Sequence, residues 1–360
     1  MRFMSISQIR GTIEETFEPK RNALNAVRLA LALSVIVWHS FPLTGTPSPS
    51  HPVTQLLGET GVDGFFAISG FLIVSSWIRR PAWWPYLKAR FLRILPAFWA
   101  CLILTALVIA PIGILLAGNG FPDGYAASAI GYVLHNAGLE MTQYGIAGTP
   151  AGVPYPDVWN GSLWTLYWEF LCYLVVLALG LANLFRFKIV VPALFVLCLA
   201  GLIVTTTGLS HNVDLTNGSR FGLMFAAGAL IYQWRTVIPA RWWLVGVAAV
   251  IVAVSSLLPD YRVVAALPIA YGVITVGTLV KARAFRLRND VSYGTYIYAF
   301  PVQQVLASAG LSALGVPVFA AIAIPLTLLL ATASWFVVEK PAMRLKGARV
   351  VTPPPVVLAE

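Results

Sequence analysis

Between Ala23 and Leu43 the chain reads ALNAVRLALALSVIVWHSFPL. A helix needs about 20 predominantly apolar residues, rising 1.5 Å each, to cross a hydrocarbon core about 30 Å thick. This stretch has that length, yet it carries two residues that such a core resists, Arg28 and His39. It lacks a small-residue cleavage pattern, and further apolar stretches follow it. It therefore reads as a retained membrane helix and not as a removed signal peptide.

Outward from that stretch the same composition continues. The 360-residue chain is 58% hydrophobic and 11% charged, whereas a soluble domain carries roughly 25% charged residues. It is too apolar for disorder and lacks the alternating pattern of an outer-membrane barrel. The class that remains is all-α, a polytopic integral membrane protein. Nine more apolar stretches, at about 61–78, 92–117, 162–184, 189–207, 220–234, 242–258, 263–280, 292–313 and 317–337, bring the expectation to about ten spans, of which 220–234 is short. The stretch 125–139 (YAASAIGYVLHNAGL) is weaker and is expected to form a short interfacial or re-entrant helix. The chain then divides into an N-terminal segment 1–22, a transmembrane domain 23–340 and a tail 341–360.

The net charge of +10 permits nucleic acid, anionic lipid or an anionic substrate. Placement decides among them. With ten spans and a cytoplasmic N-terminus, 22 of the 24 lysines and arginines fall on the cytoplasmic side, and Arg220 and Arg262 are the exceptions. Such a bias orients membrane proteins during insertion, and an eleventh span would reverse it for the later loops. Both termini are expected in the cytoplasm, membrane lipid is a partner, and no nucleic acid is needed to explain the charge. The cluster Arg79, Arg80, Lys88, Arg90 and Arg93 remains able to hold an anionic ligand as well. Cys101, Cys172 and Cys198 lie within apolar runs and read as packing residues, without a disulfide framework.

An ionisable side chain in mid-membrane costs at least about 2.5–3.5 kcal/mol, so each such residue needs a reason. Arg28, His39, Asp63 and Glu169 stand out. Arg28 and His39, eleven residues apart, return to within about 20° of one helix face and lie about 16 Å apart along the axis. Arg28 belongs near the cytoplasmic end of its span and His39 near the outer end. Asp63 enters as the second span begins outside, and Glu169 lies about two turns into the fourth. The three titratable groups of the outer third are therefore expected to converge. Simpler readings stand beside this: Arg28 as a snorkelling anchor, Asp63 as a helix-start cap, His39 as an interhelical hydrogen-bonder. Glu169 has the weakest simple reading, because a buried carboxylate must be paired or protonated.

No P-loop, dinucleotide fingerprint, G-x-S-x-G elbow, CxxC or HExxH pattern is present, so no metal is expected. The motifs that are present resemble those of membrane acyltransferase family 3. RLALALSVIVWH (28–39) is similar to that family's arginine-to-histidine signature, and GVDGFFAISGFLI (61–73) to its second-helix motif. YLKARFLRILPAFW (86–99), NGSLWTLYWEF (160–170), SYGTYIYAFP (292–301) and FVVEKP (336–341) follow in the family's order. The resemblance implies transfer of an acyl group, commonly acetyl, from cytoplasmic acyl-CoA to a hydroxyl on an envelope glycan or glycolipid at the bacterial inner membrane. It implies His39 as the essential histidine, with Arg28, Glu169, Arg90 and Arg93 as functional positions. Many members carry a further histidine where this chain has Ala299, so the burden on His39 is greater here.

On this basis acetyl-CoA or another acyl-CoA is the expected donor, with its phosphates held by Arg28 and by Arg90 or Arg93. His39 is the expected general base or acyl carrier, oriented by Glu169 or Asp63. The outer loops 44–60 and 140–160, with Tyr155 and Trp159, are the expected contacts of the extracytoplasmic acceptor. A transporter or flippase of a small or lipid-linked substrate is the alternative, although no internal repeat is visible and the ionisable set lies off-centre.

Overall fold

The computed structural model describes residues 11–19 and 21–347. Arg2, Arg10, Lys20 and Arg349, and with them the outer parts of the N-terminal segment and the tail, lie outside the described residues. Among the described residues the regular structure is helical, with no strand. A single turn α1 (Ile13–Thr16) precedes α2 (Leu24–Leu43), α3 (His51–Arg79) and α4 (Trp83–Leu116). There follow α5 (Tyr125–Asn136), α6 (Thr165–Leu181), α7 (Val190–Thr206), α8 (Val213–Gln233), α9 (Trp242–Ser255), α10 (Arg262–Leu279), α11 (Ser292–Ser308) and α12 (Leu311–Arg344).

Each of the ten apolar stretches is occupied by a helix. Five of these, α2, α3, α4, α10 and α12, are long and apolar enough to cross a membrane, and α6, α7 and α9 are apolar but shorter. The two remaining helices, α8 and α11, are largely enclosed by protein. Every residue from Ser292 to Pro301 of α11 is buried, as are Gln303 and Gln304. A helix walled in by protein can carry Tyr, Thr and Gln, because its polar groups meet other helices and not lipid. The thiols of Cys101, Cys172 and Cys198 are free.

The boundaries shift where charge or polarity masks helical structure. α4 starts at Trp83 and not near 92, because its first turns mix exposed Trp83 and Trp84 with Lys88 and Arg90. α8 starts at Val213, capped by Asn212 Oδ1 accepting the Leu215 N–H at 2.7 Å. The expected outer loop 44–60 is irregular to Ser50, and α3 then begins at His51 with Pro52 in its first turn. The weak stretch 125–139 yields α5, whose 12 residues reach about 18 Å, too short to cross a bilayer alone.

The centre is built by α2, α3, α8, α10 and α11. Between α3 and α8, Phe66 and Phe221 stack at 4.5 Å. α11 packs between α2 and α12 and so brings its two ends to the two ends of α2.

Candidate active site

The lower end of α2 meets a charged cluster assembled from four parts of the chain. Arg28 Nη1 lies 2.5 Å from Asp290 Oδ2, in the turn before α11. The same oxygen takes Arg93 Nη2 of α4 at 2.6 Å, and Arg93 Nη1 reaches Glu339 of α12 at 3.2 Å. Ser292 Oγ donates to the other Asp290 oxygen at 2.5 Å. Burial alone would raise the Asp290 carboxyl, but Arg28 and then Arg93 outweigh it and hold it down at about 2. Arg90, one turn below Arg93, stands apart. Its guanidinium lies over the rings of Tyr86 (5.6 Å) and Tyr173 (5.9 Å). Its buried Nε has no hydrogen-bond partner among the described residues, and none of their carboxylates pairs with it.

Glu169 joins this end of the bundle. It accepts hydrogen bonds from Ser69 Oγ (2.7 Å) and Tyr173 OH (2.5 Å). With Arg28 it lines a small cavity of about 30 Å3, whose walls include Phe65, Thr165, Tyr293 and Tyr296. Arg28 lies over the Phe65 ring at 5.5 Å. Phe65 in turn meets Tyr296 edge to face at 5.8 Å.

His39 lies three turns up the same helix. Its ring meets Phe300 of α11 edge to face at 5.1 Å, and its buried Nδ1 has no hydrogen-bond partner among the described residues. Nearby, Ser40 Oγ accepts from Gln303 Nε2 at 2.9 Å, which fixes α11 against α2 at this level. The convergence expected from sequence is therefore partial. Glu169 shares a cavity with Arg28, and no hydrogen bond joins it to His39.

Asp63 belongs to a different assembly. Its side chain is fully buried, and Oδ2 accepts from Arg262 Nε (2.7 Å) and Tyr261 OH (2.6 Å). Arg220 Nε approaches Oδ1 at 3.6 Å. Arg262, 3% exposed, also pairs with Asp260 at 3.0 Å and with Glu59. Gln55 completes the assembly by accepting the Tyr261 N–H at 2.7 Å and donating to the carbonyls of Ser256 and Leu258. The two basic residues that break the charge bias are thus counter-ions inside the bundle. They commit Asp63 to joining α3, α8 and α10, with Oδ2 taken by Arg262 and Tyr261 and Oδ1 facing Arg220.

Two members of the inner cluster, Asp290 and Glu339, escape the search for charges within apolar runs. Asp290 looks like a solvated loop residue, and its one signal is being the sole acid in the basic stretch 281–291. Glu339 sits near the end of a span, within FVVEKP, where a charge looks like a membrane-surface residue. In the outer loop the sequence offered Tyr155 and Trp159 together, and the structure separates them. Tyr155 is 42% exposed, whereas Trp159 is fully buried with its indole N–H on Thr149 Oγ1 at 3.0 Å.

The acyltransferase-domain family matches residues 21–336. The O-acetyl transferase of Shigella phage Sf6 is 32% identical over 301 residues, covering 80% of this chain and 86% of the phage protein. Nodulation protein 10 of Rhizobium leguminosarum bv. viciae is 26% identical, with 94% of this chain and 98% of that protein covered. The exopolysaccharide production protein ExoZ of Rhizobium meliloti is 28% identical, with 82% and 93% covered. No solved structure matches. With the arginine and histidine of the first motif on one helix, the remaining motifs packed around it and a match over most of the chain, this membrane protein belongs to acyltransferase family 3.

Proposed function

We propose that the chain is a membrane O-acyltransferase that moves an acyl group, acetyl in the first instance, from cytoplasmic acyl-CoA to a hydroxyl of an envelope glycan or glycolipid. The observation that carries this reading is the layout of α2, with a basic cluster at one end and a histidine with an unpartnered buried nitrogen at the other. Between Arg28 and His39 lies about 16 Å of helix, a span suited to an extended pantetheine arm. The ten-span arrangement in the inner membrane, with both termini cytoplasmic, rests on the bias of 22 among 24 basic residues.

The donor's phosphates engage Arg90 first, because its guanidinium is held between two rings and bears no carboxylate. Arginine suits phosphate through its planar, bidentate fork. Arg28 and Arg93 supply further positive potential while Asp290 fixes their positions. The cavity beside Glu169 is too small for a thioester chain, so Phe65 and Tyr296 must part to admit one. At the upper end His39 takes the proton of the acceptor hydroxyl as its oxygen attacks the thioester carbonyl. The new C–O bond forms, the C–S bond breaks, and the proton passes from His39 to the departing CoA sulfur. An acyl-histidine route uses the same residue as nucleophile. Glu169 serves the donor path, and Asp63 anchors the helices that frame it.

The test uses purified full-length protein in lipid nanodiscs with radiolabelled acetyl-CoA and envelope polysaccharide from a strain lacking the gene. Enzyme action releases CoA and moves label to the polysaccharide, whereas a carrier releases none. His39→Ala should cut transfer by about 10²–10⁴-fold, the usual contribution of a general base. Full transfer by that variant would overturn the role of His39.

A further inference from the structure

Where the loop 140–161 meets the starts of α6 and α8, an open hollow of about 430 Å3 is lined by Tyr144, Tyr155, Val158, Gly161, Trp164 and Asn217. Its size falls within the range of about 300–1,000 Å3 usual for small-molecule sites. The loop that forms it is firmly tied. Gln304 of α11 donates to the carbonyls of Tyr155 and Val158, both at 2.7 Å. Gln143 Nε2 donates to the Ser128 and Gly145 carbonyls, and Trp159 is held on Thr149.

Against that background the side chains facing the hollow are unspent. The hydroxyls of Tyr144 and Tyr155, the indole N–H of Trp164 and the carboxamide of Asn217 make no hydrogen bond to another described residue. Burial, and after it the neighbouring Tyr155, pushes the Tyr144 phenol above its ordinary range, so it remains a neutral donor. None of the six lining residues is charged, which disfavours a phosphate or carboxylate ligand. Aromatic faces beside neutral donors and acceptors match a pyranose, whose ring offers apolar C–H faces and a rim of hydroxyls.

The hollow also adjoins the chemistry. Tyr155 meets the Phe300 ring edge to face at 5.8 Å, and Phe300 also meets His39 edge to face at 5.1 Å. Gly161 keeps that floor clear, since a Cβ there would fall 2.8 Å from the Phe300 ring. One aromatic ring, Phe300, thus contacts both a wall of the hollow and the histidine.

We propose that this hollow binds a neutral pyranose ring of the acceptor, stacked on Tyr155 and Trp164 and hydrogen-bonded by Tyr144 and Asn217, with its reacting hydroxyl directed past Phe300 to His39. The inference rests on the acyltransferase reading above and names the acceptor's chemical class and seat.

The experiment uses the full chain in nanodiscs and, as probes, the methyl pyranosides of glucose, galactose and rhamnose, read by saturation-transfer NMR. Acetyl-CoA binding is titrated on the same samples as a check that the rest of the bundle is intact. At least one pyranoside should bind the unaltered protein, and Asn217→Ala and Tyr155→Ala should each weaken it by about tenfold, the loss of one good contact. Binding that persists in both variants, or no pyranoside binding by the unaltered protein, overturns the site. If pyranoside binding is lost in the variants as expected but the unaltered protein never releases CoA, the reaction fails and the sugar site stands.

Discussion

Arg28 and Asp290 are separated by 262 residues, yet Nη1 of one lies 2.5 Å from Oδ2 of the other. The contact joins the start of α2 to the start of α11. Through Arg93 it extends to α4, and through Glu339 to α12. A membrane-boundary arginine is thereby fixed in place and not left to snorkel, so the positive charge at the foot of α2 has a defined position.

Removing the carboxylate should expose how much the cluster depends on it. Asp290→Asn leaves Arg28 and Arg93, both largely buried, facing each other without their shared anion. Breaking a buried pair from one side costs about 3–5 kcal/mol. Thermal unfolding of the detergent-solubilised variant should fall accordingly, and Asp290→Glu should recover part of the loss. An unchanged midpoint would show that the cluster holds nothing together.

The same carboxylate predicts an acid limb. Its folded pKa of about 2 lies below the ordinary value of about 3.9, so the folded state favours the ionised form. That stabilisation is complete above about pH 4 and is lost as pH falls through about 2. The stability difference between the unaltered protein and Asp290→Asn should therefore shrink as pH falls from about 4 towards 2. A difference that holds constant across that acid range would assign the effect to another group.

Asp63 should behave as a structural residue. Asp63→Asn and Arg262→Gln each break a buried network, at about 3–5 kcal/mol apiece, and the double variant should lose less than the sum because the two share one interaction. Acyl transfer per folded molecule should change little. A kcat loss in Asp63→Asn larger than its loss of folded protein would place Asp63 in the reaction instead.

Arg90 and Arg93, one turn apart on α4, should separate cleanly. Arg90→Gln removes a guanidinium that no carboxylate holds, so the fold should survive while KM for acyl-CoA rises and kcat is largely retained. Lysine should rescue it poorly, because a point charge does not replace the planar fork. Arg93→Gln removes a cation paired with both Asp290 and Glu339, so its main effect should be lost stability. Equal KM for acyl-CoA in Arg90→Gln and the unaltered protein would remove Arg90 from the donor site.

The sequence made most helices legible because lipid demands one thing of every exposed residue, and apolar runs of the right length are hard to mistake. It was less legible where protein replaced lipid as the surroundings. α8 reads as a short span at 220–234, although it begins at Val213, because its first turns (VDLTNG) are polar and the first of them is exposed. The site divides in the same way. His39 and Glu169 were visible as costly residues in apolar runs. Asp290 was not, since a lone acid in a basic loop looks solvated until the chain brings it onto Arg28. Arg220 and Arg262 looked like stray loop charges, because no local pattern announces that Asp63 waits on another helix.

The close crossing of α3 and α8 depends on two glycines, and this gives the sharpest packing prediction. A Cβ at Gly70 would fall on the carbonyl oxygen of Phe225, and one at Gly228 on that of Ala67. Small residues let membrane helices approach until backbones touch, where van der Waals contact and hydrogen bonding replace the missing hydrophobic force. In each case the obstacle is backbone, which cannot rotate aside as a side chain can. Gly70→Ala or Gly228→Ala must therefore push the helices apart and disturb the stacked Phe66 and Phe221, at a cost of about 1–3 kcal/mol or more. Gly246 of α9 is the control, with nothing within 4 Å of an added Cβ. There alanine relieves glycine's backbone entropy and should be neutral or stabilise by up to about 1 kcal/mol. Thermal midpoints that fall for both crossing-point variants and hold for Gly246→Ala would establish the glycine contact as what sets the distance between α3 and α8. Equal midpoints across all three would mean the helices can part without loss.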